Sequence, residues 1–199
     1  MSLKIDRGFF EELGLMSIMD VCKRSLCSYD DVKKSYIVEA WGEIYRVSPD
    51  TSEILDYSNN PVNREAGLVM LFYLMRAKNI LVSGEWISEK DIPGGVTFFT
   101  GPHAVPANLI TGRYGNDIDA FSRACRGLGG VEVKMGDAAF VMPIVRRIPV
   151  VVLLWKGDDE FGPDARLLFD RTVSEHLPLD VIFALSLETL RRISSYKQG

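Results

Sequence analysis

The chain has 199 residues, 47% of them hydrophobic and 25% charged, with a net charge of −4. That balance excludes a disordered chain, which needs low hydrophobicity and high net charge. An isoelectric point of about 5.3 argues against a dedicated nucleic-acid binder, because phosphate recognition needs a positive footprint.

Residues 6–26 read as an amphipathic helical segment broken near Gly14, with Phe9, Phe10, Leu13 and Met16 at helical spacing and Met19, Val21 and Cys22 continuing an apolar side. Ser28-Tyr29-Asp30-Asp31 reads as a loop or the cap of a short turn. Residues 35–47 change to a period of two and are rich in β-branched and aromatic residues, which predicts a hairpin about Gly42-Glu43 or one bulged strand. Pro49 to Ser52 is turn chemistry, and Glu53 to Tyr57 reads as a further strand of a meander.

Asn60 to Glu65 opens a helix whose body, Ala66 to Ala77, is apolar nearly all round and is therefore expected to be central and buried, packed across the sheet. Its longest apolar run, Gly67 to Met75, is about half of what a membrane span needs, so no membrane role is expected. Residues 83–115 hold several glycines, prolines and aromatics and read as an irregular but packed segment, where binding groups tend to sit.

Asp117 to Leu128 is expected to be a helix stopped by Gly129-Gly130. Val131 to Met135 alternates as a half-exposed strand, and Ala138 to Met142 pairs back across the Gly136-Asp137 turn. Ile148 to Trp155 is a continuous apolar run and so a central strand, Leu167 to Phe169 a short strand or turn, and Pro178 to Ser194 the final helix with Pro178 in its first turn. This order predicts a single α+β domain over 1–199, with an antiparallel or mixed sheet and helices packed mainly on one side. A phosphate loop and a dinucleotide fingerprint are both missing from the sequence.

Lys33-Lys34, Arg146-Arg147 and Arg191-Arg192 read as solvated surface pairs. The first residues lack the apolar core of a secretory signal, and the cysteines are three: Cys22, Cys27 and Cys125. Both observations lead us to expect a reducing, cytoplasmic setting rather than a disulfide framework, with Cys125 a buried small apolar residue.

Chemistry-bearing side chains fall into a few groups. Trp155-Lys156-Gly157-Asp158-Asp159-Glu160, with Asp170 nearby, ends a strand in acids, the oxygen ligands that hard cations want. His103 and His176 are the two histidines, and a site built from them and a carboxylate is arithmetically open. Glu85-Trp86, before the Asp91-Ile92-Pro93-Gly94-Gly95 loop, suits either a carboxylic acid in an apolar pocket or a plain turn with a core tryptophan. Cys22-x4-Cys27 falls short of the ligand count of an iron–sulfur or zinc site. The expected ligand-binding residues are thus Glu85, Trp86, His103, Asp158, Glu160 and Asp170, and the expected metal ligands Asp158, Glu160, His103 and His176. No complete catalytic set is visible, and the cofactor stays unidentified.

In order along the chain, Gly84-Glu85-Trp86-Ile87-Ser88, Asp91-x-Pro93-Gly94-Gly95, Leu128-Gly129-Gly130, Gly136-Asp137, Ile148-Pro149-Val150, Trp155-x-Gly157-Asp158-x-Glu160-Phe161, Leu168-Phe169-Asp170 and Leu177-Pro178 resemble a bacterial and archaeal family known only as a domain of unknown function, the three-seven-eight-six family. The resemblance runs from about Tyr36 to Ile193 and implies an association with anaerobes and, in some members, an adjoining iron–sulfur segment. This chain has no such segment, and Cys22 and Cys27 do not replace it.

The reading that results is a small-ligand, cofactor or metal-binding accessory protein of anaerobic metabolism. Two alternatives stand beside it: a structural or interaction subunit, and a metal-dependent hydrolase-like enzyme. A protein partner and homo-oligomerisation are left open.

Overall fold

A computed structural model describes residues 5–197. Two short helices open it, α1 (Arg7–Gly14) and α2 (Ile18–Ser25). Asp6 caps α1 through its side chain and Ser17 caps α2, so the expected break near Gly14 is a new N-cap three residues on. Strands β1 (Ser28–Asp30), β2 (Ser35–Ala40), β3 (Glu43–Ser48) and β4 (Glu53–Leu55) follow as an antiparallel meander. The loop expected at 28–31 is therefore largely strand: Ser28–Asp30 pairs with Ser35–Ile37, and the Tyr29 and Tyr36 rings meet edge to face at 4.9 Å. The β2–β3 turn is Trp41-Gly42, with φ of 48° and 75°. Two successive positive φ values are what a two-residue hairpin of right-handed twist requires. Trp41 holds this costly conformation because its indole N–H donates to Thr189 Oγ1 at 3.1 Å and the Arg192 guanidinium lies 4.8 Å over its ring.

Helix α3 (Arg64–Arg76) starts at the Asn63 cap. Its all-round burial is supplied by neighbouring helices: it packs along the helix Leu179–Ser195 and against α1, α2 and the short helix Val173–His176. The irregular stretch contains more regular structure than the sequence suggests: β5 (Trp86–Ile87), a one-turn α4 (Gly95–Phe98) and α5 (Asn108–Tyr114), with 3-10 turns at Glu89–Asp91 and Gly101–His103. Then come α6 (Ile118–Gly127), β6 (Val131–Val133), β7 (Ala138–Val145), β8 (Ile148–Trp155), β9 (Asp164–Asp170), α7 (Val173–His176) and α8 (Leu179–Ser195). Pro178 is the N-cap of α8 rather than part of its first turn.

Among the described residues the strands form one antiparallel sheet in the order β4-β3-β2-β7-β8-β9-β5, with β1 added to β2 and β6 to β7. The main core lies between one sheet face and the helices and holds Val38, Phe140, Val150, Val152, Leu154 and Phe169 against Leu71, Leu74, Ile182 and Leu185. β8 is apolar on its other face too. Ala139, Val151 and Leu153 are buried there under Trp86, Val133, Met135, Val141, Trp155 and Leu168. That second layer explains the unbroken apolar run of β8.

The sheet has one weak seam. β2 and β7 share a single register pair, Ala40 with Val145, next to a Trp41 N–H bond to the Ile144 carbonyl. Beside this seam Pro143 on β7 stands opposite Pro149 on β8, and the register shifts between Pro143 and Val145. Neither proline has an N–H to give the ladder, so the backbone bonding is interrupted there.

Candidate functional site

Asp170 ends β9 and is 1% exposed. Its Oδ1 accepts from the Ser83 N–H and Oγ and from the Thr172 N–H and Oγ1 at 2.6–3.0 Å, and its Oδ2 accepts from the Gly84 N–H at 2.7 Å. Burial alone would raise its pKa; the bonds from Thr172, Ser83 and Gly84 outweigh burial and hold it at about 2. This carboxylate anchors the chain entering β5. Glu85, next along, makes an exposed two-pronged ion pair with Arg171 at 2.5 Å. Trp86 lies opposite Asp170 in the β5–β9 register and packs in the outer apolar layer. Glu85, Trp86 and Asp170 are thus brought together, by strand pairing.

The other expected residues lie apart from them. Asp158 sits in the β8–β9 loop, where its Oδ1 accepts from the Glu160 and Phe161 N–H groups at 2.9 and 2.7 Å, bonds that lower its pKa. Glu160 is exposed in the same loop. His103 is exposed in a 3-10 turn, stacked on Phe98 at 4.7 Å and edge-on to Phe183 at 5.5 Å. His176 ends α7 and is 1% exposed; its Nδ1 accepts the Lys78 N–H at 3.2 Å, and its Nε2 has no hydrogen-bond partner among the described residues. Burial, with Arg147 nearby, pushes its pKa down to about 4. Among the described residues no three His, Cys, Asp or Glu side chains gather as a metal-binding group, and Asp158, Glu160, His103 and His176 do not form one.

The basic pairs are not all solvated surface. Arg147 is 6% exposed and donates to the Arg24 carbonyl, the Ile80 carbonyl and Asn79 Oδ1 at 2.6–2.7 Å. Arg192 joins Glu188 and Glu43 at 2.7 and 2.9 Å and donates to the Tyr45 hydroxyl. These guanidiniums tie segments together that are far apart in sequence, which no local charge pattern reveals. Cys125, as expected, is buried.

A different feature stands at the sheet seam. On the face away from the helices, a groove of about 340 Å³ is floored by Val131, Val141, Pro143 and Pro149 and flanked by Val82 and Val145. The Arg146–Glu39 ion pair, 2.5 Å and largely exposed, lines it too. Its volume falls in the range of small-molecule sites, roughly 300–1,000 Å³. It lies where the β7–β8 ladder carries two prolines opposite each other and β2 meets β7 at a single register pair. The sequence did carry a signal for it: a proline inside a run that otherwise reads as a central strand marks a bulge or a gap.

Fold and site together define an α+β protein built on one antiparallel sheet with a ligand-sized groove at its seam. The chain belongs to the family described as Domain of unknown function (DUF3786), which matches residues 17–192. No curated protein and no solved structure matches it.

Proposed function

We propose that this is an accessory binding protein for a small, mainly apolar ligand with one polar end, and that the seam groove is its site. The carrying observation is the groove itself: an apolar floor on neighbouring strands with an ion pair at its edge. The apolar part of a ligand would lie on Val131, Val141 and the two prolines. A polar end that both accepts and donates would bridge the Arg146 N–H groups and the Glu39 carboxylate. Three of the expected residues are engaged elsewhere, which supports the shift of site: Asp170 and Asp158 by backbone donors and Glu85 by Arg171.

The test is thermal unfolding with octanamide and octanoate as probes, on the native chain and on Val141→Trp, which fills the floor. A ligand at a hundredfold excess over its Kd adds about 2.7 kcal/mol, or roughly 5–10 °C for a chain of this size. We expect such a rise with at least one probe, lost in Val141→Trp while that variant's own cooperative transition is retained. No rise with either probe, or an equal rise in the filled variant, removes the groove as the site.

A further inference from the structure

Apart from the groove, Cys22 and Cys27 form a second arrangement that the seam does not explain. Five residues apart on one continuous helix, two side chains point about 140° away from each other. Here α2 stops at Ser25 and Leu26 takes a left-handed φ of 56°, which turns the chain back on itself. Cys27 Sγ thereby comes to 3.7 Å from Cys22 Sγ, with the Cys27 S–H donating to the Cys22 sulfur. Both thiols are free and partly exposed. Ile18 and Met19, 42% and 81% exposed, lie one turn before Cys22 and share its side of the helix.

We propose that Cys22 and Cys27 are a redox-active dithiol that exchanges with a disulfide, Cys22 as the attacking sulfur and Cys27 as the resolving one. The sulfurs are already in contact and need to close by roughly 1.6 Å to reach the ~2.05 Å of a disulfide bond, a movement within reach of side-chain rotation at a chain reversal. The Cys22 thiolate attacks one sulfur of a donor R–S–S–R′, making the mixed disulfide Cys22–S–S–R and releasing R′–S⁻. Cys27 then gives its proton to solvent and attacks the Cys22 sulfur, releasing R–S⁻. The balance is two protein thiols oxidised to one disulfide and one donor disulfide reduced to two thiols. The division of roles follows from the surroundings: the Cys27 S–H donates to the Cys22 sulfur, and burial foremost, with Cys22 adding to it, pushes the Cys27 thiol up to about 12, so its proton stays in place until the mixed disulfide has formed. Cys125, buried in α6 and raised by that burial, is the internal unreactive reference.

The test treats the reduced protein with glutathione disulfide, blocks remaining thiols with iodoacetamide and reads masses and peptides. A parallel arm with oxidised thioredoxin separates a protein donor from a small one. Bridging by either supports the assignment, and the faster arm names the source. We expect two alkylatable thiols to vanish together, with the Cys22 and Cys27 peptides joined and Cys125 still alkylated. Cys27→Ser, or Cys27→Ala, should trap the donor on Cys22, while Cys22→Ser should leave Cys27 roughly tenfold slower to react. A stable donor adduct on Cys22 beside a free Cys27, reaction of the pair no faster than Cys125, or no bridging by either donor overturns the proposal. Octanamide binding does not enter this readout, so the two claims fail separately.

Discussion

At the scale of single residues, His176 is the clearest case of a side chain whose surroundings decide its chemistry. It is enclosed by α7, the chain after α3 and the buried Arg147; Lys78 also disfavours its charge, while Glu175 and Asp170 favour it. Its folded pKa of about 4 lies below the ordinary 6.5, so the unfolded chain binds the extra proton first. Stability is therefore lost as pH falls from about 6.5 to about 4, by about 2 kcal/mol between pH 7 and pH 5 and about 3 kcal/mol in all. Urea unfolding across that range should show the loss, and His176→Gln should flatten it. A native chain equally stable at both pH values would mean that His176 is solvated when folded. Asp170 acts in the same direction at lower pH: with its pKa held at about 2 against an ordinary 3.8, its contribution is lost as pH falls from about 3.8 to about 2. Neither role is visible in sequence. Besides Thr172, two positions on, the donors to Asp170 come from Ser83 and Gly84, more than eighty positions away, and the enclosure of His176 depends on Lys78 and Arg147.

At the scale of elements, the seam divides the sheet into a meander, β1–β4, and a five-stranded part, β6-β7-β8-β9-β5, joined by one register pair and one further backbone bond. Few bonds cross the seam, so the meander should open more readily than the other part. Native-state hydrogen exchange should find the slowest amides in Val150 to Leu154 of β8, and faster exchange, moving together, in β2 and β3. Equal protection on both sides would show that helix packing makes the sheet one cooperative unit. Periodicity made the larger elements legible: the alternation of 131–135, the apolar run of β8, the break near Gly14 and the stop after α6 all correspond to elements. β1 was hidden because Ser-Tyr-Asp has turn chemistry, and it is a strand only through its pairing with β2 and the Tyr29–Tyr36 contact. β9 spans Asp164–Asp170, beyond the Leu167–Phe169 core that its apolar residues reveal, because Asp164 and Arg166 sit on its outer face. α5 lay hidden among loop residues, as its cap is Ala107 and offers no side-chain signal.

At the scale of the molecule, the helices cover one face of the sheet and leave the other with a thin apolar layer and the groove. Asp170, Asp158 and Glu85, prominent in the sequence, are engaged by hydrogen bonds or an ion pair, while the groove is lined mainly by valines and prolines, with the Arg146–Glu39 pair at its edge. A site of this kind is illegible from residue types, since it depends on strand order bringing Gly42, Val131 and Pro149 to one place. Its one local trace is the pair of prolines, Pro143 and Pro149. The most direct measurement is a methyl NMR titration of the valine-labelled chain with octanamide and octanoate. The account predicts shifts concentrated at Val82, Val131, Val141 and Val145 and weak elsewhere. Shifts concentrated at valines remote from the seam, such as Val69 and Val181, or no saturable shift with either probe, would contradict it.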